Sequence, residues 1–191
     1  TLLHLCMDGR DTAPTSGAGY MEALVTKLAE IGHGEISTIS GRYYAMDRDK
    51  RWERVQKAYD VMCRDNGKCE TVAASGVKAV LEASYKAEPP INDEFIEPTG
   101  LVADGGIADG DVFACFNFRA DRAREMFEVI STKPKFETAV ARKPVMCVQM
   151  TRYASTFESP IVFAPNQLSN GLCETVSKLG LKQFHVAETE K

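Results

Sequence analysis

Three times in this chain an apolar, strand-like run gives way abruptly to a polar segment bearing arginine and then to sequence of helical period. Thr1-Leu2-Leu3-His4-Leu5-Cys6 runs into MDGRDTAP, and Glu35-Ile36-Ser37-Thr38-Ile39 runs into GRYYAMDRDKRWERV. The third run, VFACFNF at residues 112–118, passes directly into RADRAREMFEVI. Strands alternating with helices restrict the fold to the α/β class, a layered sheet with flanking helices whose strands are mainly parallel or mixed. All three apolar runs are expected to be buried strands.

The helices follow from spacing. Met21, Leu24, Val25, Leu28 and Ile31 recur at helical period, with Thr15 or Ser16 as N-cap and Gly32 or Gly34 as the stop. Trp52, Val55, Tyr59 and Met62 form the inner face of a second helix, and residues 73–87 a further one ended by Pro89-Pro90. Residues 145–150 read as another strand. Residues 151–165 show little periodicity and contain two prolines, which marks them as a linker between a domain over 1–150 and a piece of another over 166–191. In that last piece Leu168, Leu172, Val176 and Leu179 predict a helix, and Phe184-His185-Val186-Ala187 a strand. The chain opens inside a strand without Met and closes directly after a strand-like run, as expected of a segment cut from a longer enzyme.

Composition excludes several classes. With 23 basic and 27 acidic residues the net charge is -4, which argues against nucleic acid as a partner and makes local arginine clusters read as sites for a small anion. No apolar stretch is long enough to span a membrane, and no leader is evident. The 6 cysteines are scattered without C-x-x-C, so a reducing, cytoplasmic setting is expected and a zinc site is not. DGGIADGD lacks calcium-loop spacing and reads as two turns. His4, His33 and His185 have no metal-ligand spacing, and His4 and His185 read as structural histidines within strand-like runs. No serine stands beside a base as a nucleophile would.

The chemistry therefore rests on the three post-strand segments. Arg119 and Arg122 are three residues apart at a helix start, projecting from one face where free N–H groups and the helix dipole favour an anion. The alternative is a solvated face with Asp121 and Glu125 as partners. Arg42 and Arg48 offer planar forks suited to carboxylate or phosphate, against the alternative of an ordinary charged helix start. In DGRD, a carboxylate beside an arginine favours its charged form, so Asp11 could orient a substrate hydroxyl or take its proton. The alternative is an Asp-Gly turn with Asp11 as a cap and Asp8 structural. Strand ends on one side of a sheet converge, so Arg10, Arg42, Arg48, Arg119, Arg122 and Asp11 are expected to line one pocket for a multiply charged, hydroxylated anion.

Taken in order, DGRDTAP, GRYYAMDRDKRWERV, FNFRADRARE and the closing AETEK resemble the cofactor-independent phosphoglycerate mutase family across essentially the whole chain. The resemblance implies a two-domain enzyme of alkaline-phosphatase type. It interconverts 3-phosphoglycerate and 2-phosphoglycerate through a phosphoserine, using two divalent metals (manganese or magnesium) and no bisphosphoglycerate. This chain resembles the latter part of the inserted phosphotransferase domain, the linker, and the first helix and strand of the returning phosphatase domain, its partner in the same polypeptide. Position by position, the resemblance puts Arg10, Arg42, Arg48, Arg119 and Arg122 in the substrate cradle, Asp11 at the hydroxyl-directed acid/base, and Lys191 near the transferred phosphoryl group. The family's metal ligands, nucleophilic serine and substrate-contacting histidine have no counterparts here, so the isolated chain is expected to be inactive. The rival expectations are a noncatalytic phosphoanion-binding module, or a related mutase or phosphatase with another phosphorylated substrate.

Overall fold

The computed structural model describes residues 1–65, 76–166 and 168–186. The first apolar run forms β1 (Leu2–Met7), and the amphipathic segment after it forms α1 (Gly17–Ile31). Then come β2 (Glu35–Gly41), the short helix α2 (Arg42–Ala45) and α3 (Trp52–Met62). α4 (Val77–Tyr85), a 3-10 turn at Asp93–Phe95 and β3 (Thr99–Gly100) lead to β4 (Val112–Cys115) and α5 (Ala120–Ser131). β5 (Met146–Gln149) and α6 (Leu172–Lys178) complete the order among the described residues.

β1 and β2 pair in parallel, Leu2 against Glu35 and Met7 against Gly41, so their C-terminal ends lie side by side. β3 adds antiparallel to β2. β4 and β5 form a separate, parallel two-stranded sheet. The α/β class expected from the sequence is thus realised in two small sheets, not in one sheet carrying all three strand ends.

Two apolar clusters hold these layers. One joins Met7, Met21, Ile36, Ile39, Val77 and Leu81, from β1, β2, α1 and α4. The other packs Val55, Tyr59 and Met62 of α3 against Phe127, Val129 and Ile130 of α5, with Cys147 and Tyr153. The α3 face read from the sequence is therefore the buried face, and Phe127 alone removes enough apolar surface to contribute about 2–3 kcal/mol. The Tyr153 hydroxyl lies between the carbonyls of Cys115 (2.9 Å) and Asn117 (2.6 Å), fixing the chain between β4 and α5.

Several local expectations are corrected. Ser16 sits at the N-cap of α1 but its side chain makes no capping bond; Asp93, 76 residues away, accepts the Gly17 N–H at 2.7 Å and takes that role. Gly32 is the stop, in the left-handed region at φ 68°, with its N–H on the Leu28 carbonyl. The third strand is shorter and less buried than expected, because β4 packs only its Phe113 and Cys115 side; Val112, Phe116 and Phe118 face out. Phe184, His185 and Val186 form no strand, and Ala187 lies outside the described residues, as do residues 73–75 of the expected helix. α6 forms as expected but buries none of its residues. In β1 His4 is structural: its Nδ1 meets the Thr38 hydroxyl at 3.0 Å.

The Asp93–Phe95 turn lies tightly against the ends of β1 and β2. A side chain at Gly9, already at φ 64°, would come within 2.7 Å of both Asp93 Cβ and the Glu94 nitrogen. At Gly41 it would overlap the Glu94 carbonyl, a backbone atom with no freedom to move away. Gly41→Ala is therefore expected to destabilise the chain by about 3 kcal/mol in urea unfolding, at the upper end of the usual range for overpacking.

Burial, with the Arg64 cation adding to it, pushes His4 down to about 4 from 6.5. The unfolded chain takes up this proton near 6.5 and the folded chain does not until about 4, so stability is lost as pH falls through that window. Thermal unfolding should show the wild type losing roughly 3 kcal/mol more than His4→Gln across it.

Candidate functional site

The parallel pairing of β1 with β2 explains how the first two arginine-bearing segments meet. Just past Met7, Asp8 starts a turn in which its Oδ1 accepts the N–H groups of Arg10 (3.3 Å) and Asp11 (3.2 Å). Just past Gly41, Arg42 opens α2 with its side chain buried. Its Nη1 donates to Asp8 Oδ1 at 2.5 Å and to Asp11 Oδ2 at 2.8 Å. Burial opposes the Arg42 charge, but the hydrogen bonds to Asp11 and Asp8 outweigh it and raise its pKa. The same competition on Asp8 ends with its carboxyl held below the usual range by Arg42 and the two backbone donors. Arg42 Nε is buried without a hydrogen-bond partner.

Arg10 is exposed and reaches Glu94 Oε1 only at 3.7 Å. Asp11 is 69% exposed, and among the described residues its Oδ1 takes no hydrogen bond. That is the geometry of a carboxylate anchored on one oxygen and open on the other.

The third segment arrives by helix packing. α5 lies against α3, and the loop between α2 and α3 runs past the start of α5. Arg119, at the N-cap position, forks onto Asp121 through Nε (2.8 Å) and Nη2 (3.0 Å). Arg48 donates to the same carboxylate at 2.9 Å, and these contacts outweigh burial in lowering the Asp121 pKa. Arg122 donates to the Met46 carbonyl at 2.9 Å and has no carboxylate ion pair among the described residues. Burial first, then the charges of Arg42, Arg48 and Arg10, depress its pKa, so these four cations share one electrostatic neighbourhood.

Asp8 and Asp11 thus hold Arg42, Asp121 holds Arg48 and Arg119, Glu94 lies beside Arg10, and Arg122 feels the charges of Arg42, Arg48 and Arg10 without a carboxylate of its own among the described residues. Arg119 is the one turned onto its own helix, so it does not project beside Arg122 as helical spacing had implied. Lys191 lies outside the described residues. Asp8 and Glu94 were missed as functional partners; an Asp-Gly dipeptide reads as a turn, and nothing local to Glu94 reveals that it docks beside Arg10. Among the described residues no three His, Cys, Asp or Glu side chains form a group fit to hold a metal ion. No helix among them is long and apolar enough to cross a membrane.

A protein of Trichormus variabilis named 2,3-bisphosphoglycerate-independent phosphoglycerate mutase is 46% identical over 194 residues, covering 99% of this chain and 34% of the relative. One of the same name from Acetivibrio thermocellus is 45% identical, covering 99% of this chain and 37% of the relative. The chain thus spans about a third of the length of these relatives. A solved structure of Leishmania mexicana phosphoglycerate mutase at low cobalt concentration superposes with a TM-score of 0.76 over 94% of this chain and 34% of that one. At 24% identity that likeness speaks for the fold alone. Residues 1–155 match the family described as BPG-independent PGAM N-terminus, and the chain belongs to it.

Proposed function

We propose that this segment is the substrate cradle of a cofactor-independent phosphoglycerate mutase, holding the glycerate while 3-phosphoglycerate and 2-phosphoglycerate interconvert through a phosphoserine. The observation that carries the reading is Arg122. It is a half-buried cation crowded by three other arginines, and no carboxylate among the described residues pairs with it. Such a site lowers its free energy by taking up an anion, and a phosphate or carboxylate suits the planar fork.

In this reading Arg10, Arg42, Arg48, Arg119 and Arg122 hold the two anionic ends of the substrate. Asp11, fixed on Arg42 by one oxygen, directs the other at the substrate hydroxyl and moves its proton. Phosphoryl transfer is mostly positioning and charge stabilisation, which a preorganised arginine cage supplies. Lys191 acts near the transferred phosphoryl group. The remaining chemistry, with two divalent metals (manganese or magnesium) and a phosphorylated serine, belongs to a phosphatase domain of the same cytoplasmic polypeptide. The described residues do not fit a metal ion. Residues 1–150 are the phosphotransferase part, 151–165 the linker, which stays docked on that part through Tyr153 and Phe157, and 166–191 the start of the phosphatase part. The outward apolar side chains of Leu172, Leu179 and Phe184 support this division, since they lack the packing that a neighbouring domain provides.

Arg122→Ala in the polypeptide that carries this segment is expected to raise KM, depress kcat and reduce kcat/KM by roughly 100-fold. An unchanged kcat/KM would remove Arg122 from the cradle. The 191-residue chain alone is expected to show no isomerisation of 3-phosphoglycerate when assayed free of contaminating mutase.

A further inference from the structure

The cradle depends on a loop that has no regular structure of its own. Residues 46–51 carry Arg48, present the Met46 carbonyl to Arg122, and pass through Lys50 at φ 59°, a left-handed conformation unusual for a side chain of this kind. Two buried carboxylates hold that loop. Asp47 accepts the N–H groups of Asp49 and Arg51 on Oδ2, both at 2.9 Å, and Arg51 Nη1 on Oδ1 at 3.1 Å, with Arg54 at 3.9 Å. Glu125, reaching across from α5, accepts the Lys50 N–H on Oε1 at 2.9 Å.

Glu125 Oε2 is buried and has no donor, and the Glu125 and Asp47 carboxylates lie side by side, gripping the consecutive N–H groups of Asp49, Lys50 and Arg51. Two carboxylates buried in contact do not both stay ionised; one proton lies between them. Asp47, with two backbone donors and a guanidinium, is the ionised member. Glu125, with one backbone donor, is the acid.

We infer that Glu125 is the positioning residue of the cradle: as a neutral acid it donates from Oε2 to Asp47, accepts the Lys50 N–H on Oε1, and so fixes the 46–51 loop that places Arg48 and anchors Arg122. This rests on the cradle reading above. Burial, together with the neighbouring Asp47 and Asp49 charges and against the Lys50 N–H, pushes Glu125 up to about 7, while the backbone and Arg51 donors outweigh burial and lower Asp47. The other charged groups around the pair are Arg51 and Arg54, which face Asp47, and Arg48, Asp121 and Arg122 at the loop's outer side. When Glu125 loses its proton, two anions face each other and the loop loosens.

Glu125→Gln separates this role from mere packing, because the amide keeps one acceptor for Lys50 and one donor for Asp47 at every pH. Trp52, the chain's single tryptophan, begins α3 directly after the loop and reports on it. In the 191-residue chain the wild type is expected to show a fluorescence transition near pH 7 that Glu125→Gln lacks. Calorimetry with 3-phosphoglycerate should give equal affinities for the two at about pH 6, and an affinity about tenfold weaker for the wild type at about pH 8.5. Glu125→Ala should bind weakly at both. A Gln variant that titrates like the wild type, or fails to fold, overturns the assignment. If neither protein binds 3-phosphoglycerate at about pH 6, the cradle reading fails, and the fluorescence transition still decides the state of the pair.

Discussion

The buried guanidinium of Arg42 is the constraint around which the rest is arranged. A cation so placed is costly unless it is paired. Asp8 and Asp11 supply the pairing, and they reach Arg42 only because β1 and β2 run parallel with Met7 opposite Gly41. An antiparallel pair would put the end of one strand beside the start of the other. The strand topology and the site chemistry are therefore one requirement. Asp8 joins them most directly, holding its own turn through two backbone N–H groups and Arg42 through the same oxygen.

A second element locks that junction from outside. The Asp93–Phe95 turn fits against Gly9 and Gly41, where side chains would collide with it, and its Asp93 carboxylate caps α1 through Gly17 while taking the Tyr85 hydroxyl from α4. The Asp93 N–H in turn donates to the Pro14 carbonyl at 2.9 Å, and the Gly41 N–H to that of Ile96 at 2.7 Å. A short segment thus connects both helices of one apolar cluster to both strand ends of the site. Glu94, carried on the same turn, faces Arg10 as a consequence.

What could be read from the sequence divides along physical lines. The α1 and α3 segments announce themselves because their apolar residues recur at helical period; Val55, Tyr59 and Met62 of α3 are buried as read, whereas of the α1 residues so read only Met21 is fully buried and Ile31 faces out. The arginine-bearing segments were legible because charge at the end of an apolar run is conspicuous. Long-range partners were not. Asp93 as the cap of α1, Asp8 as an Arg42 ligand and Glu125 beneath Lys50 depend on contacts between residues 34 to 76 positions apart, which no local pattern encodes. The outer side of β4 misled for a related reason. Val112 and Phe116 look like core residues, but burial needs a neighbour, and composition does not say whether one is present.

The carboxylates near the cradle fall into two groups with opposite electrical tasks. Asp8, Asp11 and Asp121 each hold arginine, and Asp121 holds two, Arg48 and Arg119. These acids order the guanidinium groups before any ligand arrives, reducing the entropy lost on binding, but they also neutralise part of the field that attracts it. Glu125 holds no arginine. It spends its hydrogen bonds on the loop backbone and on Asp47, leaving Arg122 tied only to a neutral carbonyl. An anionic carboxylate directed at Arg122 would satisfy that cation internally and remove the strongest support for the proposed anion cradle. Keeping the nearest buried acid turned inward gives the loop its shape without quenching the charge it presents.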